Sequence, residues 1–238
     1  FKRKNGATSS INIMKIKYIV TVPKSEDATE ANLISETLKS VTTIIGSSRD
    51  EVSVVRYELN KEEEEINKEV NKTADAFTHV VIINAGSTLK DHFRKTVEEY
   101  VGSDKETIYL PIVELYTEEA GEYSFRAFLN SSLWKPYLTD EVGKLDLKLS
   151  KRGIDLIQYG AIIPLDILKK YSFKEDIKYY SYFEFFNRVL SNDVKVKSIP
   201  RTLLLCKKDY ELKNVSKDEK LEEFKKTQEV FLTTVVNP

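Results

Sequence analysis

Few stretches of this chain gather residue types that could do chemistry. Asn84-Ala85-Gly86-Ser87-Thr88 follows the strongest apolar run, Phe77 to Ile83, and precedes an amphipathic stretch. Such a loop can hold an anion on converging backbone amides, or serve as an ordinary strand-to-helix turn. Glu62-Glu63-Glu64-Glu65 offers four carboxylates in a row. Neighbours on a helix point in different directions, so a solvated first turn favoured by the macrodipole is expected over a cation site. Cys206 is the sole cysteine and closes the apolar run Leu203-Leu204-Leu205-Cys206. It reads as a buried strand residue rather than a reactive thiol, and one cysteine excludes an intrachain disulfide framework or a multi-cysteine zinc site. The two histidines, His79 in an apolar strand and His92 on a charged helix, are expected to be structural. They are too few for a histidine-rich metal site. The sequence contains no P-loop, no Gly-x-Ser-x-Gly elbow, no His-Glu-x-x-His and no Gly-x-Gly-x-x-Gly.

The elements that must position these residues follow from periodicity. Lys15 to Val22 reads as a strand entering a buried sheet, ended by Pro23. Ala31, Ile34, Leu38, Val41 and Ile45 form the apolar stripe of a helix broken at Gly46-Ser47-Ser48. Glu51 to Leu59 is a β-branched strand. Lys61 to Ala76 is a helix with Ile66, Val70 and Ala74 on one face. Phe77 to Ile83 is a strand, Leu89 to Val101 a helix and Thr107 to Leu115 a further strand. This alternation predicts a mostly parallel sheet with right-handed crossovers, whose ligand crevice lies beyond the carboxyl ends of the strands. Pro23, the Arg56-to-Asn60 stretch and Asn84 to Thr88 belong there.

Thr117 to Lys151 is irregular and reads as an insertion or lid-like loop, with Trp134 as a buried anchor in preference to an exposed platform. Ile154 to Ile163 regains strand character, and Pro164 opens a short helix. Tyr180 to Leu190 is an aromatic-rich helix, and Val194 to Leu205 a strand or strand pair around Pro200. Ser216 and Glu219 form a capping box ahead of Leu221, Phe224 and Phe231, the signature of a C-terminal helix.

With 238 residues, 41% apolar and 11% aromatic, the composition is that of a globular domain. Thirty-seven Lys and Arg against 38 Asp and Glu leave a formal charge of -1, which gives no electrostatic reason to expect nucleic acid or an anionic membrane as partner. No apolar run approaches the ~20 residues of a membrane span. The basic start Phe1-Lys2-Arg3-Lys4 has no apolar region behind it, unlike a secretory signal, so a cytoplasmic setting is expected. The only Met, Met14, stands just before the first strand, and residues 1–13 are expected to be a flexible arm.

In this order the elements carry motifs that resemble the inverting, family-2-type glycosyltransferases of the GT-A (nucleotide-diphospho-sugar transferase) fold. The matching residues are the first strand Tyr18-Ile19-Val20-Thr21-Val22-Pro23, the helix end Thr37-Leu38-Lys39-Ser40-Val41, and Ile66-Asn67-Lys68-Glu69-Val70-Asn71 ahead of the third strand. Later come Gly160-Ala161-Ile162-Ile163-Pro164-Leu165, the turn Phe173-Lys174-Glu175, Arg188-Val189-Leu190, and Val196-Lys197-Ser198-Ile199-Pro200. The resemblance spans roughly residues 15–205. It implies an α/β fold, a three-layer α/β/α GT-A-like domain over 14–210, with a nucleotide-binding half to about 115 and an acceptor-side half after it. Residues 211–238 then form the C-terminal helix.

The resemblance also shows what is missing. The family ends its third strand in an Asp-x-Asp motif that holds a divalent metal against the diphosphate. This sequence has Asn84-Ala85-Gly86 there, and Asp91 is displaced. The family's general base falls at Tyr182, with Glu184 the nearest acid. The base-recognition acid at the second strand's end has only Glu58 to stand for it. The expectation is therefore a non-catalytic GT-A-like module, a structural or binding subunit of a larger assembly or virus particle, with no cofactor, no metal and protein subunits as partners. The tyrosine-rich 179–187 stretch fits an interaction surface. The competing expectation is an active, metal-independent hexosyltransferase. It would use Glu184 as base, and Pro23, Glu58, Asn84, Gly86 and Ser87 to hold a nucleotide sugar.

Overall fold

A computed structural model describes residues 14–24, 28–46, 48–58, 61–119, 121–129, 159–178, 180–207, 221–223 and 225. The expected arm 1–13, Trp134 with most of the expected insertion, Ile154 to Gln158, and the capping box Ser216–Glu219 lie outside them.

The elements are β1 (Ile16–Pro23), α1 (Ala28–Ile45), β2 (Glu51–Tyr57), α2 (Glu62–Lys72), β3 (His79–Asn84), β4 (Thr88–Leu89) and α3 (Phe93–Tyr100). There follow β5 (Thr107–Glu119), β6 (Glu122–Leu129), β7 (Ile162–Pro164), α4 (Leu165–Tyr171), α5 (Ser181–Ser191) and β8 (Lys195–Lys207). The sheet order is β2-β1-β3-β7-β5-β8-β4, with β6 paired to β5. β2, β1 and β3 are mutually parallel and β5 is parallel to β8, while β7 runs antiparallel between the two sets.

Both sheet faces are covered, which explains why the strands read as near-continuous apolar runs. Side chains alternate between the two layers, as the period of two requires. Ile19, Val80, Ile82, Ile108 and Leu110 pack with Ile66 and Val70 of α2, Leu165 and Leu168 of α4, and Phe185 and Val189 of α5. Ile16, Tyr18, Val81, Ile83 and Tyr109 face the other way, onto Val41 and Ile44 of α1 and Phe93 and Val97 of α3. Each such burial contributes about 1.5–3 kcal/mol.

Several local expectations are corrected. The buried face of α1 is Leu33, Ile34, Thr37, Val41 and Ile44, while Ala31 is exposed and Leu38 and Ile45 are half-buried. The stripe is rotated because Thr37 turns inward to bond the turn after β3. α2 ends at Lys72, leaving Ala74 outside it and exposed. Its glutamates are not uniformly solvated: Glu62 and Glu63 are only 3% exposed, and Glu64 and Glu65 pair with Lys68. The helix expected from Leu89 starts at Phe93, because Thr88 and Leu89 pair with Leu205 and Leu204 first. β5 runs on to Glu119 and turns back as β6, so the first part of the expected insertion is a β-hairpin. β8 is one strand whose register against β5 slips beside Pro200, where a missing amide makes a break in the ladder cheap.

Candidate functional site

In an open sheet the crevice beyond the carboxyl ends of the strands is the place for a ligand. The carboxyl ends of β1, β2 and β3 are marked here by Pro23, Glu58 and the turn after β3. Pro23 closes β1 opposite Tyr57, and the Lys24 amide carries the ladder one step further by donating to the Tyr57 carbonyl at 2.8 Å. Glu58 is exposed, and its carboxylate takes a hydrogen bond from Lys24 Nζ at 2.8 Å, which holds its carboxyl below the usual range.

The turn after β3 is saturated from within. The Ala85 amide donates to the Thr21 carbonyl at 2.8 Å, and the Gly86 amide to Thr37 Oγ1 at 2.9 Å and the Leu33 carbonyl at 3.3 Å. Ser87 donates its amide to the Asn84 carbonyl at 3.1 Å, while its own carbonyl accepts from Thr37 Oγ1 at 2.8 Å. Thus the three amides of Ala85, Gly86 and Ser87 all have partners within the protein, and an anion held on them would have to displace those bonds. Gly86 has φ +87°, and a Cβ there would sit 2.9 Å from Leu33 Cδ2. The positive φ favours glycine, and the Leu33 side chain of α1 would have to shift to admit a Cβ.

The side chains of the turn are equally engaged. Ser87 Oγ donates to Asn84 Oδ1 at 2.6 Å and lies 3.0 Å from Cys206 Sγ, which is itself 3.4 Å from Asn84 Oδ1. Burial pushes the Cys206 thiol up to about 11, so it is no nucleophile at neutral pH, as its apolar surroundings in the sequence suggest.

Glu184 lies on α5, 5% exposed. Its oxygens receive Arg188 Nε at 2.7 Å and Nη2 at 2.9 Å, and Lys174 Nζ stands 3.1 Å away. Arg188 also donates to the Tyr171 carbonyl and, at 2.8 Å, to the Ser172 carbonyl. The carboxylate thus fastens α5 to the end of α4 through charge-assisted hydrogen bonds. Tyr182 packs its ring against Phe173 and Tyr159, at centroid distances of 5.0 and 5.3 Å. Burial, together with the charges of Glu62 and Glu63, raises its hydroxyl well above the ordinary tyrosine range. The Glu62 charge and burial do the same to Tyr159. The buried Glu62 and Glu63 of α2 and Tyr57 of β2 are thus electrostatically coupled to the buried Tyr182 and, for Glu62 and Tyr57, to the half-buried Tyr159. The glutamate run was visible in the sequence, but its inward orientation depends on how α2 meets residues about a hundred positions later.

His79 sits at the opposite end of β3, 1% exposed, with Nδ1 2.9 Å from Thr78 Oγ1 and Nε2 2.9 Å from the Asp104 carbonyl. Burial lowers its pKa to about 4. It is structural, as expected, and His92 is exposed just ahead of α3.

No family model matches this sequence, and no curated protein matches it. Solved structures do. TarS 1–349 of S. aureus in complex with UDP superposes with a TM-score of 0.66 at 16% identity, over 93% of this chain and 66% of that one. The same protein in complex with UDP-GlcNAc gives 0.61 at 14% identity, over 94% and 67%. The longer TarS chain gives 0.64 at 14% identity, over 94% of this chain and 40% of its own. TarS is a GT-A-type glycosyltransferase.

The fold is GT-A-like. The chain spans about two thirds or less of the two TarS chains in the UDP complex and the longer structure. A GT-A-like fold raises the question of a divalent metal at the end of β3, and the residues here do not fit one. Asn84 offers a single neutral oxygen that already accepts from Ser87 and Cys206, and Gly86 is clamped under α1. Among the described residues no three His, Cys, Asp or Glu side chains gather closely enough to hold a metal ion. In this GT-A-like fold, then, Pro23, Glu58 and Asn84 stand at the carboxyl ends of neighbouring strands, Gly86 and Ser87 are buried in the turn that follows, and Glu184 is held in an ion pair. No helix among the described residues is long and apolar enough to cross a membrane.

Proposed function

We propose that this chain is a GT-A-like module without transfer chemistry, acting as a structural or binding subunit of a larger assembly, in the cytoplasm or in a virus particle. The observation that carries the reading is the turn after β3, whose amides and side chains are satisfied by Thr21, Leu33, Thr37 and Cys206. A diphosphate would have to displace those bonds and would meet no carboxylate-held cation. Each buried donor stripped of its partner costs about 1–3 kcal/mol. The pairing of Glu184 with Arg188 and Lys174 supports a structural role for the nearest acid over the role of base.

A second reading has one observation in its favour, the likeness to TarS in complex with UDP and UDP-GlcNAc. On that reading the chain is a metal-independent hexosyltransferase using a nucleotide sugar, with Glu184 freed by rearrangement of α5. Thermal unfolding against nucleotides and nucleotide sugars, with and without Mn²⁺, separates the two. A ligand at a hundred times its Kd adds about 2.7 kcal/mol, a rise of several degrees for a chain of this size. The non-catalytic reading expects no such rise with UDP, UDP-GlcNAc or related donors, and no sugar transfer or donor hydrolysis. A rise of several degrees with any donor would overturn it.

A further inference from the structure

A groove of about 470 Å³ opens between α1 and the β5–β6 hairpin, floored by β4 and the end of β8. Its size falls within the ~300–1,000 Å³ of small-molecule sites. One wall is aromatic: Tyr116 and Tyr123 stack with ring centroids 5.0 Å apart and planes 26° apart. Tyr123 is 49% exposed, and its hydroxyl is held by Glu114. The ring is therefore a fixed ledge with its edge anchored.

The rim is polar in a particular way. Glu36 and Lys39 on α1 and Asp91 after β4 all line the groove. No hydrogen bond or ion pair engages the side chains of these three among the described residues. Ser40 and Thr43 line it too, but their hydroxyls are spent on backbone carbonyls of α1.

An aromatic ledge beside uncommitted carboxylates and an ammonium matches one ligand chemistry well. A pyranose ring presents an apolar C–H face that lies on an aromatic ring, and a girdle of hydroxyls that donate to carboxylates and accept from lysine. Two acids against one lysine leave the rim net negative, which disfavours phosphates and nucleotides. An apolar peptide would bury those charges without partners, at a large cost. We propose that the groove between α1 and the β5–β6 hairpin is a saccharide-binding site, with Tyr123 as the stacking platform and Glu36, Lys39 and Asp91 as the hydrogen-bonding girdle. This site adjoins the turn after β3 through Thr88, but its lining includes none of Pro23, Glu58, Asn84, Gly86 and Ser87, and it does not depend on whether the chain transfers sugars.

The test is a titration of the full chain by calorimetry and ¹H–¹⁵N NMR. The probes are neutral di- to tetrasaccharides of glucose, galactose, mannose and N-acetylglucosamine, taken to about 10 mM, since a single weak site works in the millimolar range. At least one is expected to bind saturably and to shift the amides of residues 36–43, 88–91 and 121–125. Tyr123→Ala should weaken that binding about tenfold or more while Tyr123→Phe, which keeps the ring, stays within about threefold. Glu36→Gln, on an exposed helix position that does not test folding, should weaken it about threefold or more. UDP should not compete. Absence of binding by every sugar overturns the proposal. So does binding that Tyr123→Ala and Glu36→Gln leave unchanged, or competition by UDP, which would move the sugar to the crevice.

Discussion

The turn after β3 and the groove beside it are joined through Ser87 and Thr88, yet they treat polar groups in opposite ways. In the turn, three amides, a serine hydroxyl, an asparagine oxygen and a thiol all find partners inside the protein. In the groove, Glu36, Lys39 and Asp91 line a concave wall and have no protein partner among the described residues. A polar group already satisfied internally serves the fold, and a ligand gains nothing by meeting it. A polar group held in a concavity and left to water is where a ligand can add a bond without breaking one. The difference predicts that substitutions in the first class change stability, and substitutions in the second change only binding.

The strongest way to break the comparison is at Glu184, which satisfied geometry assigns to the fold. Removing one partner of a buried pair strands the other charge. Glu184→Ala is expected to cost on the order of 3–5 kcal/mol in urea or guanidinium unfolding, with Arg188→Ala close behind. If Glu184→Ala unfolds at the wild-type midpoint, the ion pair is not structural and the role of base returns.

His79 belongs to the same class and adds a pH dependence. Its folded pKa of about 4 lies below the ~6.5 of an unfolded histidine, because burial disfavours the cation. The unfolded chain therefore binds the proton first as pH falls, so stability is full above about pH 6.5 and declines through the window down to about 4. Between pH 7 and 4.5 this one group should remove on the order of 2–3 kcal/mol. The measurement is unfolding free energy against pH for wild type and His79→Gln. Parallel curves would show that His79 is not held neutral.

Gly86→Ala should cost less, about 1–3 kcal/mol, from the strain of φ +87° and the shift of Leu33 that a Cβ 2.9 Å away demands. Wild-type stability in Gly86→Ala would mean that α1 is not clamped there and that the turn is freer than its hydrogen bonds imply.

How much of this was legible in the sequence follows the same division. Periodicity located the strands because both sheet faces are covered, and Ile19, Val80 and Ile82 look as apolar as their neighbours Tyr18, Val81 and Ile83. The order of those strands was beyond reach: β7 is three residues long and slips antiparallel between β3 and β5, and no local pattern states such a partner. The resemblance located Asn84, Gly86 and Tyr182, but it could not say which partners hold them. That depends on Thr37 and Cys206, 49 and 119 positions from their partners Gly86 and Ser87. Glu62 and Glu63 misled for a related reason: a run of acids is solvated by default, and only the packing of α2 against the Tyr182 region turns two of them inward. The groove left least trace of all, since Glu36, Lys39, Asp91 and Tyr123 come from three separate elements and share no motif.

The smallest expected effect is also the sharpest form of the comparison. Glu36→Gln and Asp91→Asn remove charges that hold nothing in the fold, so unfolding free energy should stay within about 0.5 kcal/mol of wild type. Asp91 stands two residues before α3, where a negative charge gains a little from the helix dipole, so its loss should be the larger of the two. A cost above about 1 kcal/mol for either would show that these side chains are engaged by the protein after all. The distinction between a satisfied turn and an open groove would then fail at its weaker end, and the saccharide site with it.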